Sequence, residues 1–528
     1  MPSKNFRISI DSILDGQSSL NYFGKEGSFK NSLALDVDAE ATTGDNRPSG
    51  LLVPQPATPL TGATMDAEPL WMNTTPKTDN VFVYDRSGKV YEAVLSNDTL
   101  SDLNNGAALS SSSGNGSAYY DNFQYFAKNT DICRYGRLDG ARTYTETYWT
   151  SSLSLSPLGN GVTYPSSSIA SIKYPNHPMH KHIDNKLYIG DVMASNGVHT
   201  GKGAVHYIKT TKTTTEGDTN DGSTYNALDL PYGVWPTDIE SYGTDLAIAA
   251  YEGFTTTGNT RGKRAHIYLW DTTSDSYYKD IEMGDPLVSA LEYINGELIA
   301  FSGNPGNTGC RVSRYIGGDS FEELAYLEDS QPPYAGATDS IMSRIVFGGY
   351  STSMGNYGCL YAFGSKISQI PRGLFNIMRF TGDTGATATV TSCIIPENTP
   401  FTNDKYLIGW RDSDEYGIDQ NATTYGASEF QSEVFKIGKP FEIERVRIPL
   451  NQAVGANMTI AVKVIVDEES TSTTIATINN TNFTGSERFV DLHPSVRGKH
   501  DFILQLSWSG STLISVGLPI EIWGREIE

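Results

Sequence analysis

The sequence predicts an all-β protein, a roughly seven-bladed β-propeller with an extended N-terminal arm (residues 1–77) and a C-terminal β-sandwich or jelly-roll domain (residues 425–528). Three observations lead there. The composition favours turns and strands over helices. A turn-then-strand pattern recurs through residues 78–424. From about residue 425 that pattern gives way to strict alternation of apolar and polar residues.

The chain has 528 residues, too many for one hydrophobic core. Charged residues make up only 19%, lean for helices whose exposed faces need Lys, Glu and Arg, whereas 51 Gly and 30 Tyr suit tight turns and short strands.

In the arm, Phe6, Ile8 and Ile10 alternate as in a single strand. After them come turn formers with little periodicity, such as Pro48-Ser49-Gly50 and Pro54-Gln55-Pro56. A stretch of this kind is expected to lie extended on another surface, the alternative being a disordered tail.

The recurring pattern is a polar turn leading into a short apolar strand. Asp79-Asn80 precedes VFVY, Asp121-Asn122 precedes FQYFA, and Asp184-Asn185-Lys186 precedes LYIG. Gly243-Thr244-Asp245 precedes LAIAAY, Asn295-Gly296-Glu297 precedes LIAF, Ser343-Arg344 precedes IVFGGY, and Asn403-Asp404-Lys405 precedes YLIGW. The spacings run from 42 to 63 residues, enough for four strands and their loops, which is the period of a propeller blade. Seven such anchors suggest seven blades, with six to eight fitting the scatter. Either the arm or the segment near residue 420 is expected to supply the strand that closes the ring.

Two further echoes run through the same region. Tyr84-Asp85-Arg86-Ser87-Gly88-Lys89-Val90-Tyr91 and Trp270-Asp271-Thr272-Thr273-Ser274-Asp275-Ser276-Tyr277 share the grammar of an outer blade hairpin. Arg134 with Asp139 and Arg314 with Asp319 sit in matching runs 180 residues apart, about three blades, and suggest a repeated structural ion pair. In the C-terminal region Met458, Ile460, Val462, Val464 and Val466 alternate, as do Phe502, Leu504, Leu506 and Trp508. Phe441, Ile443, Val446, Ile448 and Leu450 mark a strand with a break, and Leu518, Ile520 and Ile522 a last one. Period two means one buried face and one solvated face.

The formal net charge is −22, which repels phosphate backbones and argues against sequence-specific nucleic-acid binding. The densest cationic group, Arg261, Lys263 and Arg264, reads as a solvated turn. The opening MPSKNFRISIDSILDG lacks the apolar stretch of a secretory signal, and no run of 18 apolar residues occurs. The chain is therefore expected to be made and assembled in a cytoplasm, without membrane insertion. Cys133, Cys310, Cys359 and Cys393 form neither a C-x-x-C pair nor a disulfide framework.

Catalytic signatures fail in turn. There is no P-loop, no G-x-S-x-G elbow and no H-E-x-x-H. Gly318-Asp319-Ser320-Phe321 imitates a lipase serine motif, but it is central in the chain and Asp491-Leu492-His493 has the wrong spacing for a partner. A propeller glycosidase would need a carboxylate pair. Glu322 and Glu323 are adjacent and should face opposite ways on a strand. The densest set of possible metal ligands is His177-Pro178-Met179-His180-Lys181-His182, in which His180 and His182 would share a face; a polar loop before a blade strand is the preferred reading. Glu216-Gly217-Asp218-Thr219-Asn220-Asp221-Gly222 has calcium-like composition, but its Gly falls one place early for an EF-hand, so an Asx-rich turn is preferred. The sequence assigns no catalytic, cofactor or metal residue.

The runs FRISIDSILDGQSSLNYFGKEGSFKNSLALDVD, SGNGSAYYDNFQYFAKNTDICRYGRLDG and TEGDTNDGSTYNALDLPYGVWPTDIESYGTDLAI resemble large structural proteins of tailed bacteriophages. The resemblance covers most of residues 1–420 and maps no functional residue. It implies a non-enzymatic virion component, a tail hub, nozzle or tip subunit assembled in the host cytoplasm. Its expected partners are other virion proteins and copies of itself in a symmetric ring. The alternative is a receptor- or glycan-binding virion protein using the many Tyr and Trp residues, which pack blades equally well; a propeller glycosidase comes third.

Overall fold

The computed structural model describes residues 4–527 apart from 14, 18–26, 41–49, 56, 76–77, 104–115, 128–131, 141, 150–176, 196–197, 210–223, 253–263, 305–308, 329, 342, 352–356, 366–372, 382–387, 397–404, 422–426, 468, 470, 484–487 and 511–513. The Asp-rich loop 216–222 and Arg261 with Lys263 lie outside the described residues. No α-helix occurs among the described residues, and the protein is all-β.

From residue 69 to 421 the strands fall into consecutive antiparallel sheets, each built by up-and-down hairpins. The first strands of these sheets are Pro69–Thr75, Ser117–Tyr120, Met179–Lys181, Val234–Tyr242, Leu287–Ile294, Thr338–Ile341 and Thr389–Ile394. Each touches the first strand of the next sheet, and Thr389–Ile394 touches Pro69–Thr75, so the cycle returns to its start. This is a propeller-like arrangement. Bulges recur where the first strands of neighbouring sheets meet, with register shifts at Pro69/Trp71, Pro236/Asp238, Val288/Ala290 and Val390/Ser392. A bulge turns a side chain out of the ladder. Two bulged threonines use this to bond the next sheet: Thr237 Oγ1 donates to Val288 O at 2.7 Å, and Thr391 Oγ1 to Pro69 O at 2.6 Å.

The apolar runs after the seven anchor turns are all second strands of their sheets. A second strand is paired on both edges and packed on both faces, so it reads as a continuous apolar run. Leu246, Ala247, Ile248, Ala249 and Ala250 are all fully buried. Four of the seven turns before them use left-handed backbone, which Asn and Gly tolerate: φ is 69° at Asn122, 60° at Asn185, 64° at Gly243 and 53° at Asn295.

Two larger sheets hold the C-terminal strands. One runs Asn5–Ile10, Ile520–Glu526, Phe441–Pro449, Phe489–Leu492; the other includes Ser28–Leu33, Ser428–Ser432, Asp501–Gly510, Met458–Val466 and Thr473–Asn479. They face each other through their apolar rows, with the Phe441 and Phe502 rings 5.5 Å apart. Burial alternates along Met458–Val466 as the sequence predicts. The break expected after Ile443 is a bulge between Ile443 and Arg445.

Residues 1–77 differ from the expected arm. Asn5–Ile10 pairs with Ile520–Glu526, and Ser28–Leu33 with Ser428–Ser432. Ala57–Pro59 is the outer strand of the last propeller sheet, pairing with Glu415–Asn421, and Pro69–Thr75 is the inner strand of the first. Composition misleads here because Asn5–Ile10, Ser28–Leu33 and Ala57–Pro59 find their partners hundreds of residues away. Leu35, Val37 and Leu52 join one continuous core with Phe375 and Ile408 on the propeller side and Phe430 and Leu506 on the other. Arg344, fully buried, bonds both oxygens of Asp36 at 3.3 and 3.4 Å and the Tyr406 hydroxyl at 2.7 Å. Hydrophobic burial is non-directional, whereas this buried ion pair specifies which segments meet.

Two local readings are corrected. Tyr84–Tyr91 joins the second and third strands of its sheet, whereas Trp270–Tyr277 joins the third and fourth, so only the latter is an outer hairpin. Their shared grammar reflects a common Asp lock: Asp85 accepts from Lys89 N at 2.8 Å, and Asp271 from Thr273 N and Ser274 N at 2.9 and 2.7 Å. Of the two expected Arg–Asp pairs, that between Arg314 and Asp319 does not form. Arg314 binds Glu297 and Glu322, while Asp319 binds Lys279. Arg134 lies over the Phe123 ring at 4.0 Å, and Asp139 pairs with Arg137.

Candidate functional site at the convergence of the inner strands

Carboxylates are concentrated on three consecutive inner strands. Asp238 and Glu240 stand on Val234–Tyr242, Glu292 on Leu287–Ile294 and Asp339 on Thr338–Ile341. Three of the four reach across to the following sheet. Asp238 Oδ2 accepts from Leu291 N at 2.7 Å, Glu292 accepts from the Thr338 and Ser340 side chains, and Asp339 Oδ2 accepts from Ile395 N at 2.5 Å. These are clamps between sheets, made where a strand edge would otherwise leave donors unsatisfied.

Glu240 is the exception. Its Oε1 accepts from the adjacent Ser241 N at 2.7 Å, and its Oε2 lies 3.7 Å from His180 Nδ1 on the preceding sheet. Burial pushes Glu240 well above the usual carboxylate range, reinforced by Glu292, Asp238 and Asp339. Burial likewise raises Asp238 to about 7, and raises Glu292 to about 7 with help from Asp238. Burial lowers His180 to about 3, with His182 adding to the effect. At neutral pH the cluster therefore retains protons, and His180 is neutral.

The two histidines singled out by spacing do meet, and they share one hydroxyl. His180 Nε2 lies 2.7 Å from Ser241 Oγ, and His182 Nδ1 lies 3.0 Å from the same oxygen. By distance alone, Ser241, His180 and Glu240 imitate a nucleophile–base–acid row. Proton bookkeeping directs it otherwise. His182 Nε2 is 2.9 Å from the Thr244 carbonyl, which can only accept, so a neutral His182 carries its proton on Nε2 and accepts at Nδ1. The single Ser241 proton goes to His182, His180 Nε2–H donates to Ser241 Oγ, and His180 Nδ1 presents a lone pair to a protonated Glu240. The result is a proton-ordered chain between two sheets, with His180 unable to act as base toward Ser241.

The third histidine of the motif lies elsewhere. His177 Nδ1 is 3.4 Å from Asp191, whose other oxygen is 3.3 Å from His206 Nε2, all fully buried. Among the described residues no group of three or more His, Cys, Asp or Glu is spaced to hold a metal ion. Glu322 and Glu323 pair with Arg314 and Arg311 respectively, on opposite faces of their strand. Gly318-Asp319-Ser320 is a hairpin turn. Sequence reasoning named His180 and His182 but missed Asp238, Glu240, Ser241, Glu292 and Asp339. The available signal was a carboxylate inside an apolar strand, as in VWPTDIESY and LVSALEYI.

No family profile and no curated protein sequence matches this chain. Among solved structures it is similar to the computationally designed Ika8 protein (TM-score 0.37, 11% identity, 69% of this chain and 99% of that one). It is also similar to a streptogramin B lyase (TM-score 0.40, 12% identity, 70% and 98%) and to the RRP9 WD40 repeats (TM-score 0.41, 10% identity, 70% and 99%).

Proposed function

We propose that this chain is a non-enzymatic structural subunit of a tailed-phage virion, forming part of a ring at the tail hub, nozzle or tip. In this reading the closed cycle of sheets is a seven-bladed β-propeller, and the two remaining sheets are a β-sandwich. The observation that carries it is the double use of the N-terminal segment. One stretch supplies strands to both sandwich sheets, the outer strand of the last blade and the inner strand of the first. A single core then runs through both modules, giving a stiff two-part body suited to bearing contacts on several sides. The carboxylate cluster supports the same reading, since Asp238, Glu292 and Asp339 each bond the neighbouring sheet. Copies of the chain and other virion proteins are its partners in this account. Mass spectrometry of purified particles tests it: the chain should be present at a fixed multiple of the tail-tube copy number. Its absence from intact particles, with glycan turnover in the infected lysate, would favour a propeller glycosidase.

A further inference from the structure

Outside the inner-strand cluster, a polar cleft of about 320 Å³ opens between the fourth and fifth propeller sheets. The turn after Lys279–Glu282, with Met283 and Asp285, forms one wall; strands Glu297–Gly303, Cys310–Gly317 and Ser320–Leu327 form the other. Strand register explains the second wall. Ser302 pairs with Arg311, Arg311 with Tyr326, and Ser313 with Glu323, so one polar row faces outward while Val312 on the opposite face is buried.

The polar groups of the cleft hold one another in place. Asp285 Oδ2 accepts from Ser302 Oγ at 2.7 Å and pairs with Arg311 Nε at 3.2 Å. Arg311 Nη1 bonds Glu323 Oε2 at 2.5 Å, and the guanidinium lies over the Tyr326 ring at 5.3 Å. Asp285 Oδ1 and Arg311 Nη2 have no further partner among the described residues. The cleft thus offers a fixed acceptor and a fixed donor, with Phe321 beside them as an apolar floor.

The chemistry narrows the ligand. Glu282 pairs with Arg264 and Asp319 with Lys279, and with Asp285 and Glu323 sharing Arg311 the cleft keeps a net negative charge that disfavours anions, including acidic sugars and phosphates. No set of these carboxylates is spaced to hold a metal ion. An apolar ligand would strand the ion-paired groups without water. A neutral polyhydroxylated ring remains: hydroxyls that both donate and accept for Asp285 and Arg311, and an apolar face for Phe321. The volume falls at the small end of ligand sites.

We propose that this inter-sheet cleft binds one residue of a neutral saccharide. The site is independent of where the chain sits in a particle, so it can stand or fall apart from the structural reading above. Saturation-transfer difference NMR on the full chain tests it, with glucose, galactose, mannose and N-acetylglucosamine as neutral probes and sialyllactose as the acidic comparator. At least one neutral sugar should show saturable transfer, and Arg311→Ala should weaken it at least tenfold with an unchanged melting temperature. Asp285→Asn serves as the second variant and should weaken it in the same direction; Lys439→Ala, on the sandwich, should bind like the parent. Absence of saturable transfer with every neutral sugar would overturn the proposal. So would stronger binding of sialyllactose, or parental binding by Asp285→Asn.

Discussion

Replacing Glu240 by Gln removes the most strongly perturbed carboxyl of the inner-strand cluster while keeping an oxygen to accept from Ser241 N. In the folded protein Asp238 and Glu292 hold their protons up to about pH 7, against 3.8 and 4.5 for the unreacted groups. A carboxyl whose folded pKa is raised gives stability that is complete below its unfolded pKa and is lost as pH rises through the folded one. At ~1.4 kcal/mol per pH unit this is about 4 kcal/mol for Asp238 and about 3 kcal/mol for Glu292, with Glu240 adding in the same direction. Because the groups interact, the total is less than the sum. His180 works in the opposite sense. Its folded pKa is about 3 against 6.5, so its contribution is complete above pH 6.5 and is lost on acidification. Between pH 4 and 6.5 it offsets part of the carboxylate effect; between 6.5 and 8 the carboxylates act alone. Urea unfolding followed by tryptophan fluorescence at fixed ionic strength reads this directly, since Trp235 and Trp270 are both buried in the fourth sheet. The wild-type midpoint should fall from pH 6.5 to 8. Glu240→Gln should have a higher midpoint at pH 8 and a shallower fall. A flat or rising wild-type midpoint, or parallel curves for the two proteins, would refute the assignment of protons to this cluster.

Asp36→Ala leaves Arg344 buried without its carboxylate and should cost roughly 3–5 kcal/mol in chemical denaturation. Phe441→Ala empties a fully buried ring site between the two C-terminal sheets and should cost about 3–5 kcal/mol. Removal of residues 1–62 deletes the outer strand of the last propeller sheet, one edge strand of the first C-terminal sheet and both Gly16–Gln17 and Ser28–Leu33 from the second. The shortened chain should lose cooperative thermal unfolding in calorimetry.

Much of the propeller region was legible because its second strands are buried on both faces and announced by turns that need left-handed backbone. LAIAAY after Gly243 and LIAF after Gly296 carry both signals within a few residues. The C-terminal strand Met458–Val466 was equally plain, having one wet face. The N-terminal strands were not, since Ser28–Leu33 and Ala57–Pro59 have no local period and acquire their meaning from partners at Ser428–Ser432 and Glu415–Asn421. The match of Arg314 with Asp319 misled for a related reason: side-chain partners depend on the neighbouring strands, where Arg314 finds Glu297 and Glu322 while Asp319 finds Lys279. The inner carboxylates were hidden because nothing local distinguishes a Glu that clamps the next sheet from one facing water.

Cryo-electron microscopy of purified particles tests directly the proposal that many copies of this chain stand in a ring on a phage tail. The map should accommodate the propeller and the sandwich together as one rigid unit in every subunit of a symmetric tail ring. A particle whose tail density is fully accounted for by other proteins, with this chain recovered only outside the virion, would contradict it.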